Sequence, residues 1–184
     1  VTWAVENTYS GMENMALIPG TVGAAAVGNI AAYGQNQEDI FVSLKTHNSK
    51  IFDKNNMQFA YRESILKNNS NYIVTSVTYK LSKKTHLELS YHATHHASLL
   101  PTLQSIAKEP FTVKNVYDAV IKIRQEKLPD PKNIGTAGSF FKNPVVSAKI
   151  SSEIKSKFPD LQTYPVAKLQ YIDSKENMVK LPAG

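Results

Sequence analysis

Ser139 stands in the run Gly135-Thr-Ala-Gly-Ser-Phe-Phe-Lys-Asn-Pro144, a hydroxyl set among backbone-bending glycines and an Asn-Pro turn. Glycine permits backbone conformations closed to other residues, so a side chain beside it can be held in a fixed, unusual direction. A surface turn with an incidental serine fits the same residues. A second group precedes it: on a helix starting at Thr112, with 100° per residue counted from Val113, Val116, Tyr117, Val120 and Ile121 gather on one face, and Arg124 and Lys127 land at about 20° and about 320° on that face. Two cations on a face that should be buried either snorkel past the core and complement the helix C-terminus, or look into a cleft that holds an anion, Arg as a planar fork and Lys as a point charge.

Three further sets of residues carry chemistry. Arg62, in Phe59-Ala-Tyr-Arg-Glu-Ser-Ile65, is a surface charge or an anion clamp at a sheet edge. His92, His95 and His96 have a spacing that invites zinc, but the stretch lacks the acidic ligand and general base of helical zinc motifs, so a polar, His-rich loop over 85–104 is expected and no metal site is assigned. Small residues dominate Ile18 to Gly34, and Thr21 is placed to open a short helix. Such a backbone can cradle a phosphate or a flat ring, or can pack tightly against a neighbouring element.

The elements that must position these groups follow from pattern. Ile40 to Asp53 reads as a β-hairpin turning at Asn48-Ser49, and the β-branched and aromatic run Tyr72 to Leu81 as a strand. Leu128-Pro-Asp-Pro131 ends the helix that runs from Thr112 to Lys127 and marks a domain boundary. After Pro144, Ile150, Ile154 and Phe158 at i, i+4 and i+8 predict an amphipathic helix from Ser147 to Phe158 with a serine cap, followed by short extended pieces at Val166–Ile172 and Met178–Leu181.

Composition excludes several classes. The 184 residues are 42% hydrophobic and 20% charged, ordinary for a globular chain, and no cysteine is present for disulfide, thiol or thiolate-metal chemistry. No apolar run reaches the ~18 residues of a membrane span, and the N-terminus lacks a signal-peptide layout, so a cytoplasmic home and no membrane partner are expected. The net charge of +6 points to an anionic partner, while scattered lysines argue against nucleic acid.

In order along the chain, Gly11-Met-Glu-Asn-Met-Ala-Leu-Ile-Pro-Gly-Thr-Val-Gly-Ala-Ala25, Asn29-Ile-Ala-Ala-Tyr-Gly34, Tyr61-Arg-Glu-Ser-Ile65, and Arg124-x-x-Lys-Leu-Pro-Asp-Pro-Lys132 leading into Gly135–Pro144 resemble the UDP-N-acetylenolpyruvoylglucosamine reductases (MurB), in their long-loop subclass. The resemblance implies an α+β fold. Residues 1–127 would be the middle part of an FAD-binding region of the vanillyl-alcohol-oxidase-like (PCMH) kind, with mixed sheet and helices, and 128–184 the first part of a substrate-binding subdomain. It implies a flavin-dependent oxidoreductase of peptidoglycan synthesis, in which NADPH reduces FAD and the enolpyruvyl group of a UDP-sugar then becomes UDP-N-acetylmuramate.

By the same resemblance Ser139 is the proton donor, Arg62 stabilises the charge that hydride addition leaves beside the substrate carboxylate, and Tyr91, Arg124, Lys127 and Asn143 bind substrate. Pro19, Gly20, Val22, Gly23, Ala24, Ala25, Asn29 and Gly34 match flavin-contacting positions. Ala31, where family members commonly have glycine, adds a methyl close to the expected flavin. Small-molecule partners and a monomer are expected. The chain opens on Val1 within a helix and stops after Leu181-Pro-Ala-Gly184 without a closing element, which predicts an internal segment. A subdomain holding the FAD pyrophosphate would precede it, a segment with a catalytic glutamate would follow it, and the polypeptide alone would show no turnover. Two other readings remain at this point: a colourless module that only binds an anionic nucleotide-sugar, and a zinc hydrolase built on the histidines.

Overall fold

The computed structural model describes residues 1–90, 99–130, 132–135, 141–165 and 177–183. It is an α+β structure of short helices and small antiparallel sheets, in two compact units, Val1–Leu128 and Pro129–Gly184.

In the first unit a short helix α1 (Thr2–Glu6) leads to a single 3₁₀ turn (Glu13–Met15) and then to α2 (Val22–Val27). As Thr21 foreshadowed, its Oγ1 accepts from the Ala24 N–H at 3.1 Å and opens α2. A small ribbon of β1 (Ala31–Ala32) and β2 (Gln35–Asn36) runs into α3 (Gln37–Ile40). Next come the hairpin strands β3 (Phe41–Thr46) and β4 (Ile51–Asp53), a turn of helix α4 (Lys54–Met57) capped by Asp53, and β5 (Val74–Tyr79). The sheet order is β4-β3-β5, antiparallel throughout.

Strict alternation would put Phe41 and Leu44, three residues apart, on opposite faces. Both are buried, because the register slips between Phe41 and Ser43 and the extra residue, Val42, is left 42% exposed. Phe41 and Leu44 then join Ala26, Phe52, Met57 and Leu66 in one core.

A second core of the same unit is helical. The stretch 85–104, expected to be a polar loop, contains the start of helix α5 (Leu99–Ile106), whose Leu99 and Leu103 are fully buried. They pack with Ala16 against α6 (Val113–Lys127). The predicted start of α6 is present: Thr112 accepts from the Asn115 N–H (3.2 Å) while Asn115 Oδ1 accepts from the Thr112 N–H (3.0 Å).

The buried face of α6 differs from the expected one. It carries Val113, Val116, Ala119, Val120 and Ile123, which on the same wheel centres at about 305° rather than at about 7°. Tyr117 and Ile121 are half-buried at its margin. Arg124 therefore flanks the buried face, and Lys127, inside it by angle, is exposed because the helix runs out past its core there.

The second unit holds β6 (Val145–Ser147), α7 (Ala148–Lys157), β7 (Tyr164–Pro165) and β8 (Met178–Lys180) in a sheet of order β6-β8-β7. Ser147 caps α7 as expected. The predicted apolar stripe is covered only at its middle: Ile154 is half-buried, Ile150 and Phe158 are 46% and 64% exposed, and Ser151 is the buried residue of α7.

Candidate functional site

The segment from Leu17 to Gly28 forms an open ledge. A Cβ added to Gly20, whose φ is +123°, would meet nothing within 4 Å, and Pro19, Val22 and Ala24 are exposed. Gly23 and Ala25 are half-buried. Gly23 faces inward: a Cβ there would lie 3.3 Å from the Val74 side chain of β5, so glycine lets α2 sit close on the sheet. Ala31, the position departing from the family pattern, is exposed on β1.

Two arginines bracket this ledge, each donating to a carbonyl at one end of it. Arg124 Nη2 donates to Leu17 O (3.3 Å), and Arg62 Nη1 donates to Gly28 O (3.0 Å). Arg62 sits at the tip of a two-residue turn between Ala60 and Glu63, whose backbones exchange hydrogen bonds of 3.1 and 3.0 Å, and it is held at φ +57°. Two more bonds stitch the turn to the end of α2, Ser64 Oγ to Val27 O (2.7 Å) and Asn29 Nδ2 to Ala60 O (2.9 Å). The exposed guanidinium is thereby fixed beside the ledge.

Arg124 is half-buried, and its Nε is buried without a hydrogen-bond partner. It lies near the Tyr33 phenol, whose pKa burial raises and the arginine charge partly pulls back. Desolvation lowers the Lys127 ammonium, with Glu126 acting the other way. The backbone around the ledge is strained, with Leu17, Asn29 and Tyr33 at φ +55°, +42° and +47°, conformations that non-glycine residues adopt at a cost.

The structure thus brings Arg62, Arg124, Pro19, Gly20, Val22, Ala24 and Asn29 to one ledge. Asn29 is buried beneath it with Oδ1 unpartnered. Gly34 lies apart, exposed at φ +88°, where a Cβ would come within 2.9 Å of the Glu88 side chain. In the second unit Asn143 Oδ1 accepts from the Ala183 N–H at 2.9 Å, which ties the chain leading into β6 to the chain leaving β8. Ser139, Tyr91, His92, His95 and His96 lie outside the described residues. Among those described, no group of three or more His, Cys, Asp or Glu could hold a metal, and no helix is long and apolar enough to cross a membrane.

Sequence reasoning passed over a buried polar set beside the ledge: Ser10, Glu13 and Asn14 are each at most 1% exposed. The available signal was three polar residues within Ser10-Gly-Met-Glu-Asn14, a stretch flanked by apolar positions. Glu13 accepts from the N–H groups of Gly11 (2.7 Å) and Met12 (3.0 Å), which spares its carboxylate an unpaired burial.

Over its whole length the chain is 42% identical to the UDP-N-acetylenolpyruvoylglucosamine reductase of Flavobacterium johnsoniae, covering 53% of that protein. It is 40% identical to the protein of the same name from Pseudomonas fluorescens and 39% to that from Porphyromonas gingivalis, covering 52% of each. The chain spans about half the length of the curated relatives it matches. No family model matches it. A crystal structure of the UDP-N-acetylenolpyruvylglucosamine reductase (MurB) of Thermus caldophilus superposes with a TM-score of 0.49 at 19% identity, covering 78% of this chain and 44% of that one.

Proposed function

From the UDP-N-acetylenolpyruvoylglucosamine reductase family, to which this chain belongs over the half of its relatives' length that it spans, we propose that the segment serves reduction of an enolpyruvyl UDP-sugar to UDP-N-acetylmuramate with FAD and NADPH, in the cytoplasm. The observation that carries this reading is identity of 39–42% across the whole chain to proteins bearing that name. The ledge fits the flavin: an open shelf of small residues with unobstructed backbone at Gly20 admits a flat ring, and the fixed Arg62 guanidinium at its edge suits a negatively charged neighbour.

FAD, when bound along Pro19, Gly20, Val22, Gly23, Ala24 and Ala25 above the buried Asn29, would supply hydride received from NADPH; Gly34, which lies apart from the ledge, is not part of that surface. The chain's own residues do the rest. Hydride addition to one carbon of the substrate double bond drives its electron pair onto the carbon beside the carboxylate. Arg62, permanently charged and already oriented by Gly28 O, stabilises that charge without reorganising. Ser139 holds the proton that the second carbon takes up. Arg124, Lys127, Asn143 and Tyr91 bind the UDP-sugar. A partly desolvated ammonium such as Lys127, with its lowered pKa, gains more from an anion than a fully hydrated one.

The deciding experiment is Ser139→Ala in the intact protein, with the two half-reactions followed separately by stopped-flow flavin absorbance. Reduction by NADPH should keep its rate, while reoxidation by the enolpyruvyl substrate should slow by roughly 10²–10⁴-fold. Equal slowing of both halves would remove Ser139 from the role of proton donor. A purified protein with no flavin absorbance and no response to added FAD would favour a module that only binds the nucleotide-sugar.

A further inference from the structure

One side chain joins Tyr33 to the stretch that precedes Tyr91. Residues Ser82 to Ser90 form an irregular strap that bends at Lys83 and Lys84. Its first residue is paired with Ser10, through Ser10 N to Ser82 O (2.9 Å) and Ser82 N to Ser10 O (3.0 Å). The Ser10 hydroxyl then donates to His86 O (2.8 Å) and accepts from His86 N (3.2 Å). Asn14 takes the next hold: its Nδ2 donates both to Glu88 O (2.9 Å) and to Tyr33 O (2.7 Å), while its own N–H donates to Gln35 Oε1 (2.9 Å). Asn14 is 0% exposed.

A single buried amide thus fixes the strap at Glu88 to the left-handed residue Tyr33, next to Gly34. The glycine at 34 belongs to the same junction, since a Cβ there would come within 2.9 Å of the Glu88 side chain. The bond to Tyr33 O fixes the amide's direction, so moving the strap at Glu88 means breaking the bond to Glu88 O and leaving a fully buried donor unpaired. None of these bonds is made to the open ledge, although Tyr33 itself lies near Arg124. They act on where the described strap ends, at Ser90, the residue before Tyr91.

We infer that Asn14 is a positioning residue, which sets substrate affinity by locking the Ser82–Ser90 strap to Tyr33. The inference rests on the functional reading above for its substrate, but not for its structural half. Asn14→Leu removes both donors with the same number of heavy atoms, and Ser10→Ala cuts the strap's other side-chain hold while also removing the hydroxyl 3.2 Å from Glu13 Oε1.

In the intact protein, hydrogen exchange of the amides in 82–90, read by mass spectrometry, should quicken by about 10-fold in both variants, the loss of one net hydrogen bond's protection. The KM for the enolpyruvyl UDP-sugar should rise by a similar ~10-fold, with kcat within about 2-fold and flavin reduction by NADPH unchanged, the pattern of lost uniform binding. Unchanged exchange in the strap in both variants would overturn the inference. So would faster exchange throughout Val1–Leu128 with both half-reactions slowed together, which marks a merely structural residue. If the unmodified protein does not turn over the UDP-sugar, the functional reading falls by itself, and the exchange data alone decide whether Asn14 holds the strap.

Discussion

Arg62 has side chain and backbone pulling in different directions. Its φ of +57° costs on the order of 1 kcal/mol for a residue with a Cβ, and the bonds from Ser64, Asn29 and its own Nη1 hold it there. Strain maintained by three separate bonds is the signature of a side chain whose direction matters more than its stability. Lysine would keep the charge but not the planar fork that can hold Gly28 O and still face an anion. On the proposed function, Arg62→Lys in the intact protein should therefore leave the thermal midpoint nearly unchanged and flavin reduction by NADPH intact, yet slow flavin reoxidation by the enolpyruvyl substrate by roughly 100-fold or more. Stopped-flow absorbance of the two half-reactions checks this, and a variant that slows neither half would leave Arg62 a surface charge. The residue type was legible in the sequence. Its left-handed backbone was not, because that conformation comes from bonds to Val27, Gly28 and Asn29, some 30 positions away in the chain.

At the scale of elements, what could be read was what local pattern decides. Thr112 and Ser147 mark their helix starts, the hairpin turns near Asn48-Ser49, and β5 lies within its β-branched run. What could not be read was which side each element buries. On α6 the wheel anchored at Val113 took Tyr117 and Ile121 as core, but α5, hidden in a His-rich stretch, packs from the other side and selects Ala119 and Ile123. The bulge at Val42 and the burial of Ser151 are of the same kind, set by partners far along the chain. The two faces of α6 give different stabilities. Ile123→Ala, at a fully buried site, should cost about 2–5 kcal/mol in denaturant unfolding, and Ile121→Ala, at a half-covered one, about 1 kcal/mol. Thr112→Ala should cost about 1 kcal/mol through the lost capping box. Equal losses at 121 and 123 would restore the face expected from the sequence.

Taken as a whole, the molecule carries a formal charge of +6 near neutrality, and both that charge and the buried phenols make its stability depend on alkaline pH. The chain is isoelectric near pH 9.3, so above that pH the loss of lysine protons makes it net negative and self-repulsion grows again. Lys127 and Lys180, with pKa values lowered by desolvation, are destabilising while charged and release that cost as pH rises toward the ordinary lysine value. Tyr79 does the reverse. Burial in the first unit, beside Phe41, pushes its pKa up from 10.0 to about 12. Its folded pKa being the higher, the stability linked to its proton is fully present below pH 10 and is lost as pH climbs toward 12. Tyr33 is shifted in the same direction. Above the ordinary lysine value the gain from Lys127 and Lys180 levels off, while growing negative charge and the phenols both lower stability. Urea midpoints followed by circular dichroism should accordingly fall between pH 10.5 and 12 in the unmodified chain and fall less in Tyr79→Phe, which keeps the ring contact with Phe41 and removes the proton. Because the variant leaves every lysine in place, parallel curves for the two proteins would assign the alkaline loss to net charge and take Tyr79 out of it.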